Sequence, residues 1–207
     1  FQVKNEEMLT ADLFGKKFSN PIGLAAGFDK SAEIYNSIFK FGFGFVEVGT
    51  ITPLKQYGNP KPRIFRLDKD EALINRLGFN NDGSQIIRDR ILSNLPSGIL
   101  GINIGPNKET ENQKNDFLLC VKSFFDIADY LTINISSPNT EKLRDFHNDE
   151  KLISLIKSIN LEKNKLKSTI PIMIKISPDI NDDSIEKISE IAIENSINGI
   201  ILTNTSS

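Results

Sequence analysis

The chain has 207 residues, 39% of them apolar and 25% charged, with a formal net charge of −2 and one cysteine, Cys120. That size and balance describe a single globular domain with a sizeable core and exclude a disordered chain. The charge offers no global attraction to nucleic acid or to an anionic membrane, one cysteine allows no internal disulfide, and no apolar run nears the ~20 residues of a membrane-spanning helix.

Near the start, Ala11–Ile22 reads as a hairpin turning at Gly15-Lys16, suited to plug the bottom of a barrel. Short β-branched or apolar runs then recur at Pro21–Ala26, Phe45–Gly49, Ile99–Ile104, Tyr130–Ile135, Ile170–Ile176 and Gly199–Leu202. Between them the spacing predicts amphipathic helices over Ser84–Leu95 (stopped by Pro96), Lys114–Ala128, Glu150–Leu166 and Ser184–Glu194, the last capped by Asn181 or Asp182. The basic stretch Lys163–Lys167 reads as a solvated helix face. Near-continuous apolar strands alternating with helices predict a parallel sheet buried on both faces. An open doubly wound sheet and a (β/α)₈ barrel both fit. The first strand–helix turn, Ala25 to Lys30, lacks the spaced glycines of a dinucleotide fingerprint, which favours the barrel. Six core strands are visible where a closed barrel needs eight, so the last two strand–helix units are expected to lie outside this chain.

A barrel of this kind carries its chemistry at the C-terminal strand ends. Those ends are Gly27 to Lys30, Gly49-Thr50, Asn103, Asn134 to Ser137, Lys175 and Thr203 to Thr205. They hold no carboxylate pair, no metal-ligand cluster and no Ser–His–Asp set. His147, the single histidine, reads as a surface residue, and Cys120 as a buried structural thiol. What remains is a ring of amides and hydroxyls with two lysines. It suits a planar, polar, electron-accepting ligand and a small anion beside it. Lys175, ending an apolar strand, has a plain alternative: a solvent-facing lysine at a strand end.

Longer motifs narrow the reading. The segment Asn20 to Lys30, then Gly49-Thr50-Ile51-Thr52-Pro53 continuing through Gly58 to Leu67, resembles class 2 dihydroorotate dehydrogenases, the quinone-using class. So do Asn75-Arg76-Leu77-Gly78-Phe79-Asn80-Asn81, Gly101 to Gly105, Asn134 to Thr140, and Thr203-Asn204-Thr205, all in order. The resemblance implies a (β/α)₈ barrel binding FMN that oxidises dihydroorotate to orotate in pyrimidine (UMP) biosynthesis and passes electrons to a membrane quinone. It implies that Ala26, Gly27, Phe28, Asp29, Lys30, Thr50, Asn103, Asn134, Lys175 and Thr203 hold the flavin. Lys30, Asn75, Arg76, Leu77, Gly78, Phe79, Asn134, Asn139, Asn204 and Thr205 would line the substrate site, with Ser137 the catalytic base. Ser137 stands where the soluble class has a cysteine.

Several positions depart from the family's usual pattern: Lys55, Pro106 and Glu141-Lys142, the last in a loop expected to cover substrate. The family also holds the FMN phosphate on glycine-rich turns after the last two strands. Residues 1–207 are thus expected to be most of a single FMN-binding barrel domain, unstable or flavin-free alone. A peripheral membrane anchor is expected ahead of Phe1, on the cytoplasmic face of the inner membrane if the source is bacterial. The rival readings are a barrel lyase with Lys175 as its Schiff-base residue, and an inactive fragment.

Overall fold

The computed structural model describes residues 7–137 and 143–206. A hairpin of β1 (Ala11–Leu13) and β2 (Lys16–Phe18) comes first. Its two connecting residues, Phe14 and Gly15, both have positive φ, at 58° and 72°, the twist that two-residue hairpins favour. The turn therefore lies one residue earlier than the sequence suggested. Lys16 pairs with Asp129 at 2.6 Å and the Phe18 ring packs edge-on against Phe45, at the starts of two core strands. The hairpin thus sits at the N-terminal end of the sheet, where a barrel plug belongs.

The core sheet consists of β3 (Gly23–Leu24), β4 (Phe45–Ile51), β7 (Ile99–Ile104), β8 (Tyr130–Asn134), β9 (Ile172–Lys175) and β10 (Gly199–Ile201), all parallel and adjacent in that order. Sequential order decides the architecture. A doubly wound sheet reverses strand order at a switch point, whereas right-handed crossovers in unbroken order put every helix on one face. The sheet is an arc of a (β/α)₈ barrel with six of its strands. The predicted strands all form: Ile99–Ile104 is unchanged, those from Tyr130 and Gly199 end one residue earlier, Ile170–Ile176 shortens to Ile172–Lys175, Pro21–Ala26 shrinks to two residues and Phe45–Gly49 lengthens to Ile51.

The helices are α1 (Tyr35–Phe39), α2 (Ser84–Ser93), α3 (Gln113–Phe124), α4 (Asp149–Lys165) and α5 (Asp182–Glu194). Asn112, Asn148 and Asn181 cap the last three, each accepting a backbone N–H. Alternate strand residues, among them Val46, Val48, Leu100, Ile102, Leu131, Ile133 and Ile174, join Phe117, Val121, Leu155 and Ile159 of the helices in one buried cluster. Cys120 is fully buried there, as expected. The other strand face points to the barrel interior, where each glycine makes room for a neighbour. A Cβ on Gly101 would strike the Tyr130 ring, and one on Gly199 the end of Met173.

Sequence reading missed α1 and an excursion between β4 and α2. There β5 (Ile64–Leu67) and β6 (Ala72–Asn75) form an antiparallel hairpin, largely exposed. It returns the chain so that Asn75 to Phe79 lie over the strand ends.

Candidate active site

The β4 strand breaks its own alternation as it reaches the site. Glu47 faces inward, so a regular strand would turn Thr50 outward. Pairing with β7 instead slips between Val48 and Ile51, at Gly49 with φ +115°. The bulge re-aims Thr50 into the interior. No larger residue fits at 49, since a Cβ there would strike the carbonyl oxygen of Asn103.

Thr50 then joins a chain of buried amides. Its hydroxyl donates to Asn103 Oδ1 at 2.7 Å, and Asn134 Nδ2 donates to Thr50 Oγ1 at 2.9 Å and to Asn103 Oδ1 at 3.2 Å. Ser136 Oγ donates to Asn134 Oδ1 at 2.7 Å, and Asn204 Nδ2 donates to Ser136 Oγ at 2.9 Å. Strands β4, β7 and β8 and the segment after β10 are therefore tied together at their C-terminal ends.

Above this chain lies a cavity of about 260 Å³, lined by Ala26, Gly27, Lys30, Thr50, Asn75, Leu77, Gly78, Phe79, Asn134, Ser137, Lys175, Asn204 and Thr205. Every one of these was singled out from sequence. Ile64 and Leu73 of the hairpin complete the wall and were not. A second cavity of about 840 Å³ shares Gly27, Lys30, Ile64 and Leu77 with the first and adds Phe28, Asp29 and Arg63.

Asn103, Arg76 and Thr203 line neither cavity, and Phe28 and Asp29 line only the second. Asn103 is fully buried, beneath the cavity within the amide chain. Asp29 is buried and accepts the backbone N–H groups of Glu33 and Ile34, so its carboxylate shapes the turn into α1. Arg76 is exposed and donates to the Pro62 carbonyl, with its guanidinium over Phe65. Thr203 is exposed and donates to the Asn204 carbonyl. Asn139, with Glu141-Lys142, lies outside the described residues. His147 is half-buried rather than on the surface: its Nε2 accepts the Ser177 backbone N–H at 3.4 Å.

The electrostatics of the cavity are cationic. Lys175 is 7% exposed, which removes the solvent-facing alternative. Burial, then Arg63 and Lys175, lower the Lys30 pKa to about 8. Among the described residues neither lysine's ammonium group makes a hydrogen bond or ion pair. A buried ammonium without a counter-ion, as at Lys175, is costly, and half-buried Lys30 beside it adds to that charge, so the cavity suits an anionic or electron-rich guest.

The family model described as dihydroorotate dehydrogenase matches residues 8–207. The chain belongs to the dihydroorotate dehydrogenase family. A dihydroorotate dehydrogenase (quinone) of Bartonella henselae is 46% identical over 99% of this chain and 58% of its own length. One from Rhodospirillum rubrum is 44% identical over 99% and 56%. Among solved structures, the dihydroorotate dehydrogenase of Eimeria tenella in complex with ferulenol superposes with a TM-score of 0.90 at 42% identity, over 98% of this chain and 61% of that one. The chain thus spans under two thirds of the length of these family members, and it sorts with those designated quinone-linked.

Proposed function

We propose that the protein to which this chain belongs oxidises dihydroorotate to orotate in pyrimidine biosynthesis, with FMN as cofactor and a membrane quinone as electron acceptor. The observation that carries this reading is the pair of ammonium groups, half-buried Lys30 and buried Lys175, facing one cavity with Ser137 and the amide chain, with no side-chain partner among the described residues. FMN suits that lining: a reduced flavin is electron-rich, and Lys175 can compensate the charge. The backbone from Ala26 to Lys30, with Thr50, Asn134 and Lys175, would hold it within a single barrel domain, over the buried Asn103. When bound, FMN accepts a hydride and passes two electrons on to the quinone.

The protein's own groups do the rest. Lys30 pairs with the substrate carboxylate, and Asn75, Asn134, Asn139, Asn204 and Thr205 hold its ring amides. Leu77 to Phe79 close the wall. Ser137 takes the proton from the carbon beside the substrate carbonyl as the hydride leaves the neighbouring carbon. At 4% exposure Ser137 is shielded from bulk water, which suits a proton passed through polar neighbours rather than to solvent. Quinone use would bring the protein to a membrane surface through a segment outside this chain, on the cytoplasmic face of the inner membrane if the source is bacterial. No helix among the described residues is long and apolar enough to cross a membrane.

An anaerobic visible spectrum of the full-length protein tests this. Dihydroorotate should bleach a yellow flavin, and a quinone, not fumarate or NAD, should restore it. Yellow colour untouched by dihydroorotate would discard the substrate. A colourless protein trapped by borohydride on Lys175 would replace the reading with Schiff-base chemistry.

A further inference from the structure

A carboxylate lies inside the barrel, one layer below the cavity, and no step above uses it. Glu47 on β4 is 5% exposed. Its Oε1 accepts from Asn103 Nδ2 at 2.9 Å and its Oε2 from Thr132 Oγ1 at 2.8 Å. The Tyr130 hydroxyl also reaches it, and Tyr130 ionises far less readily than usual because it is buried and faces that carboxylate. Donors on β7 and β8 thus converge on one acceptor.

The direction of these bonds matters. An asparagine amide can reach a carboxylate only with its NH₂ group, so Glu47 fixes which way Asn103 faces. Asn103 Oδ1 must then turn up toward Thr50 and Asn134, which both donate to it. Asn134 meets that oxygen with its own NH₂, leaving its Oδ1 for the Ser136 hydroxyl and the Ser136 backbone N–H. Ser136 Oγ, having donated downward, accepts from Asn204 Nδ2. Asn204 Oδ1 finally accepts the Thr205 backbone N–H at 2.8 Å. Each bond points down the chain toward Glu47. Without an acceptor at that end, Asn103 is free to turn over, and the faces that Thr50, Asn134 and Asn204 show the cavity are no longer unique.

We propose that Glu47 is a positioning residue: its carboxylate at the base of the barrel interior sets the hydrogen-bond polarity of Asn103, Thr50, Asn134, Ser136 and Asn204, and through them the donor and acceptor pattern that flavin and substrate meet. This rests on the functional reading above. It goes beyond it in assigning a role to a residue that touches neither ligand.

Two near-isosteric variants of the full-length protein separate the explanations. In Glu47→Gln the amide turns its NH₂ toward Thr132, whose hydroxyl can accept, and keeps its oxygen on Asn103, so polarity survives without charge. Glu47→Met fills the same space with no comparable acceptor. FMN affinity, from fluorescence quenching on titrating apoprotein, and the rate of flavin reduction by dihydroorotate are both measured. Glu47→Gln should stay within about threefold of wild type on both, and Glu47→Met should lose about tenfold or more, the scale of one buried donor left unpaired. Equal, small effects of both variants would reduce Glu47 to packing, and equal, large effects would make its charge the cause; either overturns the proposal. Should Glu47→Met fail to fold, the Asn103 side-chain amide decides. Its protons should exchange slowly with solvent in wild type and in Glu47→Gln, and rapid exchange in wild type would overturn the proposal. A wild type that binds FMN but ignores dihydroorotate would count against the substrate, while the affinity and exchange measurements still judge Glu47.

Discussion

Replacing Gly49 by alanine tests the bulge that aims Thr50 into the cavity. Two costs add. At φ +115° an L-residue is strained by about 1–2 kcal/mol. The new Cβ would also strike the Asn103 carbonyl oxygen and lie 3.0 Å from the Ile51 backbone nitrogen, atoms that β7 and β4 hold in place. Forcing one carbon into such a packed interior costs about 1–3 kcal/mol more. The sum, about 2–5 kcal/mol, should lower the melting temperature by roughly 4–10 °C. Gly15→Ala is the control. Gly15 has φ +72° but nothing within 4 Å of its missing Cβ, so it bears only the strain. Thermal unfolding of the two full-length variants side by side isolates the crowding. A Gly49→Ala loss no larger than that of Gly15→Ala would refute the close approach, and with it the account of how Thr50 reaches the site.

Lys30 should make orotate binding pH-dependent, because the anion needs the ammonium and that group titrates at about 8. Affinity, read from the flavin spectrum, should weaken as pH rises past 8, and an inflection that persists in Lys30→Met would refute the assignment. The same group should act oppositely on the ligand-free fold. Its folded pKa lies below the ordinary 10.5, so between about 8 and 10.5 the unfolded chain holds the extra proton and stability rises with pH. Lys175→Met should stabilise the flavin-free protein by about 1 kcal/mol or more, since it removes a buried charge, while weakening FMN binding. A destabilised apoprotein would show that Lys175 has a partner in the fold. Cys120, fully buried and with its thiol pKa raised by burial and by Asp116, should resist thiol reagents until the protein unfolds, and rapid labelling of native protein would refute that placement.

Much of the fold was legible because the repeating strand–helix pattern leaves little freedom. Runs such as Ile99–Ile104 can only be buried strands, and Asn181 before Asp182-Asp183 announces a helix start. Part of the cavity lining was legible for a different reason: a barrel puts every strand end on one rim, so reading those ends in order names Gly27, Lys30, Thr50, Asn134, Ser137, Lys175, Asn204 and Thr205, whereas Ala26, Asn75, Leu77, Gly78 and Phe79 came only with the family resemblance. The β5–β6 hairpin escaped because Ile64–Leu67 and Ala72–Asn75 cover the rim instead of joining the core, leaving Ile64 and Leu73 half exposed and outside any buried pattern. Arg76 and Thr203 stand within motifs that reach the site, yet the backbone turns both side chains outward, and a motif alone does not reveal which way a residue points.

Glu47 escaped for a deeper reason. In Phe45-Val46-Glu47-Val48-Gly49 a lone carboxylate amid apolar residues looks like a strand residue facing water. It faces inward because Asn103 on β7 and Thr132 on β8 come to the same height, and that depends on register: Glu47 pairs with Gly101, which pairs with Tyr130, each two residues before the partner that reaches across. No single segment contains that information. Three strands contribute Glu47, Asn103 and Thr132 within reach of one another, and only their parallel alignment turns these separate polar residues into a buried network. An interior carboxylate is costly unless its acceptor sites are filled, and here Asn103 and Thr132 fill both oxygens. Apolar residues at the same three levels would have packed the barrel more cheaply. Retaining Glu47 is therefore better explained by what lies above it than by stability, and the polarity of the amide chain is the one property of the rim that a hydrocarbon core cannot set.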